Sequence, residues 1–392
     1  MSDTVLDLDS YGRSFVVDPY PVYAELRRQG PVHRIRTAEL GEQWLIVRYK
    51  EARALLNDPR LSKDPRKGGL PDVDDRTARN MLNTDQPEHT RLRSLVQREF
   101  TPRRAQEMRA GIQRITDELL DAMLVGGRAD LLQAFALPLP ATVIGDLLGA
   151  PVADREAFRA WTMRVTAPAD EADMVEAFTE LGTYIVGLIE EKGRTPGGDL
   201  VSALLASSAP DGDRLTAEEL ASLVFLLIIG GFETTAQLIT SAVRSLLTHP
   251  DQLKLLRSDH SLLDGAIEEA MRYEAPLETS TFRVAVAPVE VGSVTIAAGD
   301  LVKISLLSAN RDEKQFLDPN RFDIQRAQPG HLALGHGVHH CLGAPLARLE
   351  ARIALRSLLD RAPDLALDAD PEDLDWVPGL LIRGVRGLPV TF

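Results

Sequence analysis

A single long helical pattern constrains this chain more than any other feature. Thr216 and Glu219 stand at capping-box spacing, Leu220, Leu223, Val224 and Leu227 follow, and the pattern stops only at His249 and Pro250. A helix of about 33 residues is ~50 Å long at ~1.5 Å per residue. Its middle is apolar on nearly every face, so it has to pass through the core of a large protein. The nearly apolar run from Leu220 to Phe232 is too short to cross a bilayer of ~30 Å.

The same helix carries Gly230, Gly231, Phe232, Glu233, Thr234 and Thr235. Two glycines inside a helix cost about 1 kcal/mol each relative to alanine, so something has to offset them. A kink, a π-type bulge and the close approach of a flat ligand all remain open. An acid and a hydroxyl follow at a depth where the flanking helix is apolar. Buried glutamate is rare unless it is paired or functional, and an acid beside a hydroxyl can relay protons.

The chain has 392 residues, with 44 Lys and Arg against 58 Asp and Glu, a formal charge of −14. This length permits two or three domains or one large enzyme fold. The acidic balance argues against nucleic acid as a partner, because cations supply most non-specific affinity for phosphates. One cysteine excludes an internal disulfide and a four-cysteine zinc site. Acidic residues interrupt the first 30 positions, which leaves no signal-peptide core, and the expectation is a cytoplasmic protein that does not engage a membrane.

Thr101 before Pro102 reads as the cap of a helix running towards Met123. Two stretches read as strands. The first, residues 31–36 and 44–49 separated by Glu39, Gly41 and Glu42, suggests a hairpin; the second, residues 281–304, is valine-rich and broken by Pro288, Gly292 and Gly299. Each is expected to form a small sheet.

The lone Cys341 lies in Leu334-Gly335-His336-Gly337-Val338-His339-His340-Cys341-Leu342-Gly343, just before a helical pattern through Arg348 and Ile353. A cysteine at a helix N-terminus meets unpaired N–H groups and the positive end of the dipole, which favour thiolate, the ligand form. Zinc would need four convergent ligands, and neighbours such as His340 and Cys341 rarely meet on one ion.

With these residues the chain resembles the cytochrome P-450 monooxygenases, whose haem-thiolate loop reads Phe-Gly-x-Gly-x-His-x-Cys-x-Gly. Every fixed position is present except the first, where Leu334 stands, a change near the sulfur that bears on redox tuning. The long-helix segment is similar to the family's Gly-Gly-x-acid-Thr, and Glu269-Ala270-Met271-Arg272 to its Glu-x-x-Arg. The resemblance extends over nearly the whole chain. It implies a mainly α fold with small β-sheets (α+β), one triangular domain over residues 1–392, and a long central helix across the haem.

The resemblance also implies site roles. Cys341 would be the axial ligand of the iron of haem b, and His89, Arg93, Arg283 and His339 would answer its two propionates, since charge-assisted pairs with arginine forks suit carboxylates. Thr234 would be the oxygen-side hydroxyl and Glu233 the solvent-side proton carrier. Glu269, Arg272 and Arg321 would form a structural ion-pair group holding the loop before Cys341.

With O2 as co-substrate, electrons would come from NAD(P)H through a ferredoxin reductase and a ferredoxin, docking at arginines such as Arg91, Arg103, Arg104, Arg348 and Arg352. The protein would be a monomer. The closer likeness is to actinobacterial macrolide and polyketide-tailoring hydroxylases, implying hydroxylation or epoxidation of a macrolide or macrolactone; a steroid, terpenoid or fatty acid is the alternative. Residues 61–83, 161–174, 226–233, 277–281 and 379–382 would line the pocket, with Asp72, Asp74 and Asp75 as candidate partners of an amino sugar. A non-catalytic haem sensor is the reading of another class, and Glu233 with Thr234 argues against a peroxide-dependent enzyme.

Overall fold

The long helix forms as one uninterrupted element, Ala217–Thr248, in the computed structural model, which describes residues 5–38, 41–68, 79–166, 170–207, 213–327 and 330–392. Its capping box closes in both directions. The Thr216 N–H donates to Glu219 Oε2 at 2.9 Å and the Glu219 N–H donates to Thr216 Oγ1 at 3.2 Å. No π-helical turn interrupts the glycine pair, which is α-helical like its neighbours. Among the described residues this is the one helix long and apolar enough to cross a membrane, and 67% of its apolar stretch is buried inside the protein.

The chain divides into two units, which share the helix. Residues 1–71, 237–341 and 359–392 make the first, and residues 72–236 and 342–358 the second. The first is built on a six-stranded sheet. Its strands are β1 (Leu6–Asp7), β2 (Val32–Thr37), β3 (Gly41–Ile46), β4 (Leu61–Ser62), β5 (Arg283–Ala285) and, after a two-stranded hairpin of β6 (Val289–Val291) and β7 (Val294–Ile296), β8 (Leu301–Ile304). The sheet order is β1-β2-β3-β8-β5-β4. The two strand-like stretches therefore do not build separate sheets: β3 pairs in parallel with β8, Trp44 opposite Val302 and Ile46 opposite Ile304. Ile46, Val302 and Ile304 are fully buried on that seam, which joins the two regions through burial that neither could achieve alone.

The second unit is helical. Leu220, Val224 and Ile228 of the long helix pack with Leu181 and Ile185 of helix Glu171–Arg194 and Leu92 and Val96 of helix Glu88–Val96. Thr101 caps as expected, its hydroxyl accepting from the Arg104 N–H at 3.2 Å. The helix it opens ends at Glu107, and a separate one runs Arg109–Met123. At the break the Met108 N–H bonds back only three residues, to Ala105, and the tightened turn redirects the axis so that both Ala105 and Ile112 bury.

Candidate active site

In the first unit, Cys341 ends a loop wound on its own backbone. Its N–H donates to the Leu334 carbonyl at 2.9 Å, the His340 N–H donates to that of Gly337 at 3.0 Å, and helix Ala344–Arg361 begins three residues later. Gly335 and Gly337 both hold φ of +74°, and a Cβ on Gly337 would collide with the Asn57 side chain. Only glycine turns the chain there without strain. Cys341 is half-buried. His339 lies in the same loop, in the turn Gly337–His339. Among the described residues no group of three or more histidine, cysteine, aspartate or glutamate side chains could hold a metal ion.

The loop is approached by a segment pinned from one buried acid. Arg272 forks onto Glu269 at 2.7 and 2.8 Å and reaches the carbonyls of Asn310, Pro319 and Arg321. The expected third member, Arg321, is corrected by the geometry: its side chain is exposed, and only its carbonyl joins the group. Arg326 takes the place, with Nε at 3.1 and 3.2 Å from the two Glu269 oxygens and further bonds to the carbonyls of Leu317, Asp318 and Arg321. Asp318, in a left-handed conformation at φ 45°, starts the turn that sends Arg321 outward and brings Arg326 back.

Arg283 is buried on β5, opposite Val302 of β8. The sequence reading missed a second buried cation nearby. Lys63, directly after β4, is 1% exposed, and its ammonium donates to Thr281 Oγ1 and to the Phe282 carbonyl.

In the second unit, His89 and Arg93 lie one turn apart on helix Glu88–Val96. His89 is buried, and burial, helped by the Arg93 charge, moves its imidazole below the usual histidine range. Arg91, between them in sequence, is committed elsewhere: it pairs with Glu88, Asp213 and Glu219. Arg103 pairs with Glu107, and Arg104 with both Glu99 and Glu107.

On the long helix Glu233 is buried, while Thr234 is partly exposed and donates its hydroxyl proton to the Gly230 carbonyl at 2.7 Å. Gly230 is exposed, and Leu226 and Leu227, on the same face, are partly so. The two glycines do different jobs. A Cβ on Gly231 would stand 2.9 Å from Ile144 Cδ1, so this glycine lets helix Pro138–Leu148 approach, whereas a Cβ on Gly230 would meet only open space and the edge of Leu226. A mostly buried helix thus opens a stripe, and the hydroxyl stands on it. Asp72, Asp74 and Asp75 lie outside the described residues.

The donors of the first unit suit a haem in their chemistry: one soft sulfur at the end of a glycine-shaped loop, with a histidine and an arginine of the kind that meet carboxylates. The matching family model is that of cytochrome P450, over residues 157–362, and the chain belongs to this family. It is 52% identical over 395 residues to the cytochrome P450 monooxygenase PikC of Streptomyces venezuelae, covering 100% of this chain and 95% of that protein. It is 44% identical to the 6-deoxyerythronolide B hydroxylase of Saccharopolyspora erythraea, covering 99% and 98%. The tirandamycin C-bound structure of the monooxygenase TamI matches at a TM-score of 0.91 and 42% identity, covering 98% of this chain and 99% of that one. The fold is therefore the mainly α P450 fold with small sheets, and the protein is a monooxygenase, an oxidoreductase that uses haem-thiolate iron and O2.

Proposed function

We propose that this enzyme inserts one oxygen atom of O2 into a C–H or C=C bond of a macrolide or macrolactone. The observation that carries the reading is the open stripe of Leu226, Leu227, Gly230 and Thr234 on a helix that is mostly buried. It offers an apolar surface with one hydroxyl, suited to a large hydrophobic molecule. The substrate class is supported by the likeness, over 99% of the chain, to a protein named as a 6-deoxyerythronolide B hydroxylase.

Cys341 would hold the haem iron, and His89, Arg93, Arg283 and His339 would answer the propionates. Bound there, the thiolate-ligated iron supplies O2 activation. Thr234 would be the oxygen-side hydroxyl and Glu233 the solvent-side proton carrier. The protein acts as a cytoplasmic monomer. Electrons come from NAD(P)H through a ferredoxin reductase and an acidic ferredoxin. Arg91, Arg103, Arg104, Arg348 and Arg352 are the candidate docking cations.

A spectral binding screen of macrolides, steroids, terpenoids and fatty acids tests the substrate. A shift in iron spin state is expected with a macrolactone, and none with any macrolactone overturns the preference. Thr234→Ala tests the proton route. It is expected to bind haem and substrate while losing most of its NADPH electrons to hydrogen peroxide; wild-type coupling would remove Thr234 from the mechanism.

A further inference from the structure

Segments 277–281 and 379–383 of the first unit run antiparallel and are stitched together. The Glu278 N–H donates to the Leu381 carbonyl at 2.9 Å, Thr279 Oγ1 donates to that of Leu380 at 2.6 Å, and the Arg383 N–H donates to that of Pro276 at 2.8 Å. This pair is inside out by the ordinary rule. Its charged residues are buried, Glu278 at 3% and Arg383 at 2% exposure, while Leu381 is 37% exposed and Leu277 and Ile382 are partly open. An apolar edge backed by buried charge suits contact with something hydrophobic rather than with water.

The charged side is tied to distant parts of the unit. Tyr23, fully buried on helix Tyr20–Gln29, donates its hydroxyl to Glu278 Oε1 at 2.5 Å. Arg383 donates to Glu274 at 2.9 Å and to the carbonyls of Val16 and Val17, and it stacks over Trp376. Glu274 also accepts from Tyr20 and Arg244. Every acid in this group except Glu278 has a dedicated cation.

We propose that Glu278, held by Tyr23 and by its backbone bond to Leu381, is a positioning residue that keeps segments 277–281 and 379–383 in register and so sets how tightly the hydrophobic substrate is gripped. This rests on the monooxygenase reading, in which the open edge of Leu277, Leu381 and Ile382 faces the substrate. The electrostatics give it a pH dependence. Burial pushes the Glu278 carboxyl up to about 7, and the Glu274 carboxylate adds to this; Arg383, the Tyr23 hydrogen bond and Lys303 of β8 oppose it. Below neutrality the acid is neutral and the brace is at rest. Above it a second carboxylate forms beside Glu274, Arg383 is shared between the two, and the register loosens.

The experiment uses the haem-loaded enzyme and the variants Glu278→Gln, Glu278→Ala and Tyr23→Phe, with 6-deoxyerythronolide B as probe and iron spin state as readout from pH 5.5 to 8.5. Wild type is expected to bind the probe roughly five- to tenfold more tightly at the acid end, in line with about tenfold per pKa unit. Glu278→Gln, which mimics the neutral acid, should hold the tighter affinity throughout, and Glu278→Ala should be weak throughout. All variants should retain the reduced carbon monoxide spectrum of thiolate-ligated haem.

Amide hydrogen exchange in the two segments, corrected for intrinsic rates, gives a readout independent of substrate. Protection should fall as pH rises through neutrality in wild type, and not in Glu278→Gln. If Glu278→Ala does not fold, Tyr23→Phe carries the test, with a displaced midpoint expected. The same pH profile of exchange in wild type and Glu278→Gln overturns the inference. Failure of the probe to shift wild type at any pH counts against the substrate reading instead, and leaves exchange to judge Glu278.

Discussion

Two helices flank Cys341 in the sequence, each burying a glutamate, and they treat it in opposite ways. On Leu263–Tyr273, Glu269 meets two guanidinium groups and the Asp323 N–H, so its charge is fully answered. On Ala344–Arg361, Glu350 is 2% exposed and its Oε2 has no hydrogen-bond partner among the described residues. Burial alone raises the Glu350 carboxyl to about 8. The first acid is a permanent ion that organises the loop before the cysteine; the second is a neutral acid at ordinary pH. Burial depth does not distinguish them. Dedicated cations do.

The largest expected effect comes from breaking the answered pair. Arg272→Ala leaves the Glu269 charge buried with one cation fewer, at a cost of about 3–5 kcal/mol. Its expected outcome is protein that does not incorporate haem, read as loss of the reduced carbon monoxide band.

Next comes a test of which arginine closes the group. Arg326→Ala should lower the thermal midpoint and haem content by a clear margin, whereas Arg321→Ala, removing an exposed side chain, should change stability by less than about 0.5 kcal/mol. The reverse ranking would restore Arg321.

The smallest effect is at Glu350. The folded protein holds a proton there that the unfolded chain releases in the usual carboxylate range. The stability this group contributes is therefore complete below about pH 4.5 and is lost progressively as pH rises through about 8. Glu350→Gln should flatten that slope and raise the thermal midpoint at pH 8.5 by roughly 2–5 °C, with little change at pH 5. An unchanged slope would mean that Glu350 is already ionised in the fold.

The features legible in the sequence were those in which chemistry is local. The capping box of Thr216 and Glu219, the Glu269–Arg272 turn spacing and the glycines around Cys341 each encode their geometry within a few residues. Two things escaped. Arg321 and Arg326 stand five residues apart in one loop, and only the backbone turn after Asp318 decides which guanidinium reaches Glu269. Glu350 sits between Arg348 and Arg352, where it reads as part of a solvated helix face; that the helix turns this position inward is a tertiary fact. The union of two strand regions in one sheet was hidden for a related reason, since pairing across such a separation leaves no mark in either segment.

That sheet has a consequence for how the protein is made. Strand β3 is complete by residue 46, yet its parallel neighbour β8 begins only at residue 301. At synthesis rates of about 5–20 residues per second, the early strands wait on the order of ten seconds or more with an unsatisfied edge. Residues 72–236 emerge during that interval and carry most of the second unit in one contiguous stretch. The helical unit can therefore gather first, and the nascent β2–β3 hairpin is the part of the chain that most needs shielding from other unpaired strands.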